Sequence, residues 1–180
     1  PLATMSPTLW KAAEELPVSG RALFASLLDW PRHEDPLTSA WLAVNAIREW
    51  RGDTHWAIMT SENIDGTMAG ILDNAKHDHD DQWLPRSRGA DDAAISLAFK
   101  KLTERGLADG EKVTTKGLEY REGLERKLNN IASAAWRNLG IDQTTQFLEL
   151  IEPVGSRYMD HIDKTAGSKW MPAGREAKSK

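Results

Sequence analysis

The chain has 180 residues, 40% hydrophobic and 28% charged, and its 23 Lys and Arg against 27 Asp and Glu leave a net charge of −4. That length suits one compact domain, or a small domain with a helical extension, and no apolar run approaches the roughly 18 to 20 residues of a membrane-spanning helix. With no cysteine, a disulfide framework, a thiolate zinc site and a cysteine nucleophile are excluded, a cytoplasmic address is expected, and the charge balance provides no global attraction to nucleic acid.

The first residues carry no signal peptide, and an opening on Pro1 rather than Met leads us to expect residues upstream. Ser6-Pro7 predicts an N-cap and a first helical proline, with the helix through Lys11 to Glu15 stopping before Pro17. Ser19-Gly20 opens a second short helix, Arg21 to Leu28, closed by Trp30-Pro31. A third, from about Leu37 to Arg51, has apolar residues over most of its circumference and reads as a buried central helix, with Gly52 ending it.

Asp53 is placed to cap a helix from Thr54 to Glu62, and a turn at Asn63 to Gly66 leads to another from Thr67 to Ala75. His77 to Gly89 is polar, broken by Pro85 and Gly89, and reads as a loop. Beyond it, Ile95, Ala98, Phe99 and Leu102 share one face of a helix from Asp91 to Arg105. Arg105-Gly106-Leu107 breaks that helix, and Asp109-Gly110 predicts a very short hairpin. Thr114 then caps a long helix, with Val113 and Leu118 placed as a hydrophobic staple and Leu124, Leu128, Ile131 and Ala135 on its inner side. A last helix starts near Asp142, and its stripe Phe147, Ile151, Val154, Tyr158, Ile162 stays in phase across Pro153, which predicts a kinked helix. Residues 171–180 read as a disordered tail.

Two stretches carry a resemblance. Lys101-Leu102-Thr103-Glu104-Arg105-Gly106-Leu107, followed after the hairpin by Val113-Thr114-Thr115-Lys116-Gly117-Leu118, resembles the winged helix of MarR-type regulators, where "RGL" ends the recognition helix and "LTxxG" opens the dimerisation helix. Upstream, Arg48-Glu49-Trp50-Arg51-Gly52-Asp53-Thr54-His55 is similar to the "RExRGDxH" stretch of an actinobacterial family of helix-turn-helix proteins, and that likeness extends from about Gly20 to Ile162. The fold it implies is mostly α: a winged helix-turn-helix over 37–136 with a two-stranded β-hairpin wing, an N-terminal helical segment 1–36, and a C-terminal helical segment 137–170 that pairs two copies. The function it implies is a MarR-like transcriptional regulator, homodimeric and ligand-responsive.

On that implication the helix Asp91 to Arg105 enters a major groove of double-stranded DNA, and Arg86, Arg88, Lys100, Lys101, Arg105, Lys112 and Lys116 are the candidate DNA contacts. Between Arg86 and Lys116 those seven basic residues meet five acidic ones, a small local excess. The outward face of the helix presents Ala93, Leu97, Lys100, Lys101 and Glu104, without the Arg, Asn or Gln that form bidentate pairs with base edges. Asp91 and Asp92 at its start would repel phosphate, and His77 to Gly89 is longer than the three or four residues that usually join a helix-turn-helix. The alternative is a winged-helix protein that binds a small molecule or a protein partner without reading DNA, with exposed Leu97 packing against another element or subunit.

Arg48, Glu49, Arg51, Asp53 and His55 form a second constellation. As a pocket it would grip an anion through Arg48 or Arg51, with Asp53 and His55 beside it and Trp41 and Trp56 supplying an aromatic wall; as structure it would cap helices and tie them together. His77-Asp78-His79-Asp80-Asp81 has metal-ligand chemistry but reads as a solvated acidic loop, so no metal is expected. Eight tryptophans are roughly three times the usual share and read mainly as core. No GxSxG, GxGxxG or GxxxxGK[ST] occurs and adjacent carboxylates face different ways, so neither an enzyme nor a cofactor is expected.

Overall fold

In a computed structural model, which describes residues 1–167 and 170, the chain is mostly helical with one short β-hairpin. The expected tail at 171–180 lies outside the described residues. Two compact units are present, one of residues 1–54 and 130 onward, the other of His55–Asn129. Among the described residues no helix is long and apolar enough to cross a membrane.

The first unit opens on a 3₁₀ turn, Leu2–Met5, that runs into α1, Ser6–Glu14. Ser6 is therefore not the expected cap: it lies inside the helix, buried, and its Oγ is 3.0 Å from Ser39 Oγ, which also accepts from Trp10 Nε1 at 2.9 Å. Helix α2, Ala22–Leu28, has no side-chain cap from its own N-cap residue Arg21. Asp53 supplies one from elsewhere in the sequence, its Oδ2 accepting from Phe24 N at 3.0 Å. Arg21 lies over the Trp50 ring at 4.6 Å and donates to Thr54 Oγ1 at 3.0 Å, fixing the same junction.

Helix α3, Pro36–Ser61, corrects the expected break at Gly52. An interior glycine costs a helix about 1 kcal/mol, and buried Trp50, Thr54, Ile58 and Met59 on either side of it give the continuous helix more than that. Asp35 begins the helix, its Oδ2 accepting from Thr38 N at 2.7 Å. Ala40, Ala43, Ala46, Ile47 and Trp50 are buried with Leu9, Phe24, Ala135 and Phe147 in one core, whereas Leu37 and Trp41 are exposed. The helix is thus one-sided rather than buried all round, and of the eight tryptophans only Trp10 and Trp50 are buried.

Helix α7, Thr115–Leu139, ends in this unit, and α8, Ile141–Thr165, passes through Pro153 as one helix. Its stripe is core only at the start. Phe147 is buried and its ring lies 5.6 Å from that of Trp136, while Val154 and Tyr158 are exposed.

The second unit begins with the last turns of α3 and continues as α4, Gly66–Lys76, α5, Trp83–Ser87, and α6, Asp92–Glu104. The hairpin β1, Ala108–Asp109, and β2, Lys112–Val113, follows, pairing antiparallel with Ala108 opposite Val113, and the first part of α7 closes the unit. Helix α4 packs against both α5 and α6.

Helix α5 is absent from the sequence-based expectation of a loop over His77 to Gly89. Pro85 sits in its first turn, where a missing N–H has no partner to lose. The segment is held from α4: buried Asn74 donates Nδ2 to His79 O at 2.8 Å and accepts Leu84 N on Oδ1 at 3.0 Å. The imidazoles of the former "acidic loop" are part of this packing. His77 Nδ1 lies 2.9 Å from Asp73 O, and His79 stacks on His77 and meets Trp83 edge-on. Asp78, Asp80 and Asp81 are exposed, and among the described residues no group of three His, Asp or Glu is arranged to hold a metal.

Candidate nucleic-acid interface

The second unit presents α6 as the last of three helices ahead of a hairpin. The join between α5 and α6 is residues 88–91, four residues, with Gly89 at φ +92°. It is therefore the length a helix-turn-helix requires, and the apparent thirteen-residue obstacle came from missing α5. Close approach of α4 to α5 is set by Gly70, where an added Cβ would lie 3.2 Å from Pro85 Cβ.

Both ends of α6 are built by local chemistry. Asp91 Oδ1 accepts from Ala94 N at 2.8 Å as N-cap. At the other end Gly106, φ +70°, donates to Thr103 O at 2.9 Å and Leu107 donates to Leu102 O at 2.9 Å, the paired bonds of a Schellman ending, with Leu102 and Leu107 both buried. The Arg-Gly-Leu motif is thus a helix stop that turns the chain into the wing. Thr114 Oγ1 then donates to Gly106 O at 3.0 Å and accepts from Gly117 N at 3.1 Å, tying the stop of α6 to the start of α7.

Ile95, Ala98, Phe99 and Leu102 are buried, as their spacing predicts, so α6 turns a fixed strip outward: Ala93, Ser96, Leu97, Lys100 and Glu104. Leu97 is 53% exposed.

The seven basic candidates separate into two kinds. Arg88, Lys100 and Lys112 are exposed, and their side chains make no hydrogen bond or ion pair with the described residues. The other four are engaged within the unit. Arg86 bridges Asp92 at 2.6 Å and Asp81 O at 2.8 Å, and Lys101 donates to Asp65 Oδ2 at 2.8 Å. Lys116 Nζ reaches Arg105 O at 3.2 Å. Arg105 itself turns inward, donating to Tyr120 Oη at 2.9 Å and Glu62 O at 3.2 Å, while Tyr120 donates on to Glu62 Oε2 at 3.0 Å. Burial, with the Glu62 bond, raises the Tyr120 phenol above its ordinary range despite the opposing Arg105. Sequence reading missed this inward turn because an arginine at a helix end next to a wing has the same pattern whether it faces DNA or a neighbouring helix.

Asp65 caps α4 through Oδ1, accepting from Met68 N at 2.9 Å, while its other oxygen holds Lys101. Burial alone would raise its pKa, but the bonds from Lys101 and Met68 N hold it below the ordinary value. Glu122 is likewise lowered: burial is outweighed by Lys76 at 3.2 Å and Arg121 at 3.1 Å. A carboxylate lowered in the folded state stabilises above its unfolded pKa and loses that contribution as pH falls through the folded one. Melting temperature is thus expected to fall as pH drops below about 4.5, the ordinary carboxylate range, and Asp65→Asn, which keeps a capping oxygen, should flatten part of that slope.

The six ligand candidates are not gathered into one pocket. Arg48 pairs with its neighbour Glu49 and is otherwise exposed, and Asp53 is used as the cap of α2. Trp41 lines an apolar groove in the first unit with Leu37, Leu150, Ile151, Val154 and Tyr158. Arg51 is exposed on α3. In the second unit His55 meets Trp56 edge-on at 5.1 Å and lines a cavity of about 40 Å³ together with Asp73, Arg121 and Glu125, of which Asp73 and Arg121 bond each other at 2.6 Å. Burial works against the Arg121 charge, yet Asp73 raises its pKa above the usual value.

Comparison with curated proteins found no match, and comparison with solved structures found none. A family profile described as a helix-turn-helix family matches residues 1–164. Together with the four-residue turn, the outward α6 and the wing, this match shows that the chain belongs to that helix-turn-helix family.

Proposed function

We propose that the protein is a DNA-binding transcriptional regulator of MarR type, acting as a homodimer. The observation that carries this reading is the geometry of α5, the four-residue turn and α6, which leaves one helix face outward beside a hairpin while every other apolar face of α6 is buried. In that arrangement the third helix lies in a major groove and the wing meets flanking backbone. The usable cations are Arg88, Lys100 and Lys112, few enough that binding is of modest affinity, with a salt dependence shallower than that of an interface making roughly six to ten phosphate contacts. Pairing of two copies is supported by α8 and the groove beside it, where Ile141, Leu148, Val154 and Tyr158 expose apolar surface.

Retention of random duplex DNA by the full chain is expected at about 50 mM salt and to weaken by an order of magnitude or more at about 200 mM. A Lys100→Ala, Lys112→Ala variant should bind more weakly with a shallower salt dependence, while its melting temperature stays that of the parent. No retention at either salt concentration overturns the regulator reading. It would favour the second reading, binding of a protein or small molecule through the same scaffold, for which the engagement of Arg86, Lys101, Arg105 and Lys116 within the unit is the specific support.

A further inference from the structure

The outward strip of α6 has an unusual chemistry for a helix that reads bases. Its members in order are Ala93, Ser96, Leu97, Lys100 and Glu104. None offers the fork of an arginine or the paired donor and acceptor of an amide, so adenine and most guanine edges have no dedicated partner. What the strip offers instead is apolar surface at its centre. Leu97 is 53% exposed, with Ala93 one turn before it on the same face and Lys100 one turn after.

The only apolar group that a base pair displays in the major groove is the 5-methyl of thymine. We propose that α6 selects its DNA site through thymine methyl groups, with Leu97 as the specificity-determining residue, Ala93 seating a second methyl and Lys100 meeting a purine acceptor beyond them. This rests on the DNA-binding reading and names what that surface recognises. Ala93 and Leu97 are about 6 Å apart along the helix axis at 1.5 Å per residue, close to two base steps of about 3.4 Å, so the two methyls come from thymines two steps apart, with one base pair between them. A protein partner is the weaker occupant. Within the second unit the large exposed apolar side chains are Leu97 and Trp56, and around Leu97 on α6 lie only the small Ala93 and Ala94 with polar Ser96, Lys100 and Lys101, not the contiguous patch of large apolar side chains that a protein interface buries.

The test uses the full chain to enrich duplexes from a random library, then remakes the best duplex with each thymine in turn replaced by deoxyuridine, which removes one methyl and leaves the hydrogen-bonding pattern intact. The expected result is a loss of about four-fold in affinity at one position, or at two positions separated by one base pair, the effect of one buried methyl at each, and little change elsewhere. Leu97→Ala should still bind DNA but lose the preference for thymine over deoxyuridine at one of those positions. Equal affinity for thymine and deoxyuridine at every position overturns the inference while leaving DNA binding intact, as does a Leu97→Ala variant that keeps the full preference. Equal affinity together with a changed oligomeric mass for Leu97→Ala would assign Leu97 to a protein contact. A library from which no duplex is enriched removes the DNA-binding reading and this inference with it.

Discussion

Gly117→Ala is expected to lower the stability of the protein by about 2 to 3 kcal/mol, the upper part of the range for overpacking, which corresponds to a fall in melting temperature of roughly 5 to 10 °C for a chain of this size. The cause is steric. A Cβ at this position would overlap the carbonyl oxygen of Leu107 and approach Val113 Cγ1 at 2.7 Å. The Leu107 oxygen is backbone, already accepting from Thr114 N at 3.0 Å, and is fixed between the end of α6 and the start of β1. Relief therefore requires the first turn of α7 to withdraw from the wing, breaking the Thr114 bonds to Gly106 O and Gly117 N. Alanine is the better helix former by about 1 kcal/mol, so a stability equal to or above the parent in thermal melts would show that this close approach is not what joins wing and helix.

Asn74→Ala is expected to cost about 2 to 4 kcal/mol, because it deprives two backbone groups of their partners at once. Asn74 is 2% exposed, and its amide is the bond that α4 makes to His79 O and Leu84 N. Leu84 N is in the first turn of α5, so the variant loosens the entry of the second helix of the motif. Asn74→Asp keeps an acceptor for Leu84 N and loses the donor to His79 O, and should fall between parent and alanine. Denaturant unfolding of the three proteins checks the order. Amide exchange over residues 79–88 checks the location, since faster exchange confined to that segment is the expected signature.

The parts of the interface readable in advance are those built from near neighbours in sequence. Arg105-Gly106-Leu107 predicts the end of α6 because a Schellman ending needs only a glycine at positive φ and an apolar residue after it. Thr114 predicts the start of α7 for the same local reason, and the spacing of Ile95, Ala98, Phe99 and Leu102 orients α6 correctly.

Where partners lie far apart in sequence, prediction fails in a consistent way. Helix α5 has five residues and a proline, and it persists because Asn74 holds it, a fact no window around Pro85 contains. Gly52 does not stop α3, since the packing of Trp50 and Thr54 outweighs the local penalty. Arg105, Lys101 and Lys116 look like groove contacts by position and charge, but Glu62, Asp65 and the Arg105 carbonyl receive them. A basic residue near a recognition helix is thus a candidate until its acceptor is known, and Arg88, Lys100 and Lys112 are what remains.

The loan of Asp53 to α2 makes one segment dependent on another. Seven residues are too few for a helix to survive alone in water, and α2 has no capping group of its own, so its order is inherited from a carboxylate 29 residues further along the chain. Residues 22–28 therefore depend on the middle of α3 for their cap as well as for the packing of buried Phe24 and Leu27, and loosening that middle is expected to loosen them too. The Arg-Gly-Asp stretch is in this sense a latch between two segments of the first unit, holding shut what local sequence alone would leave open.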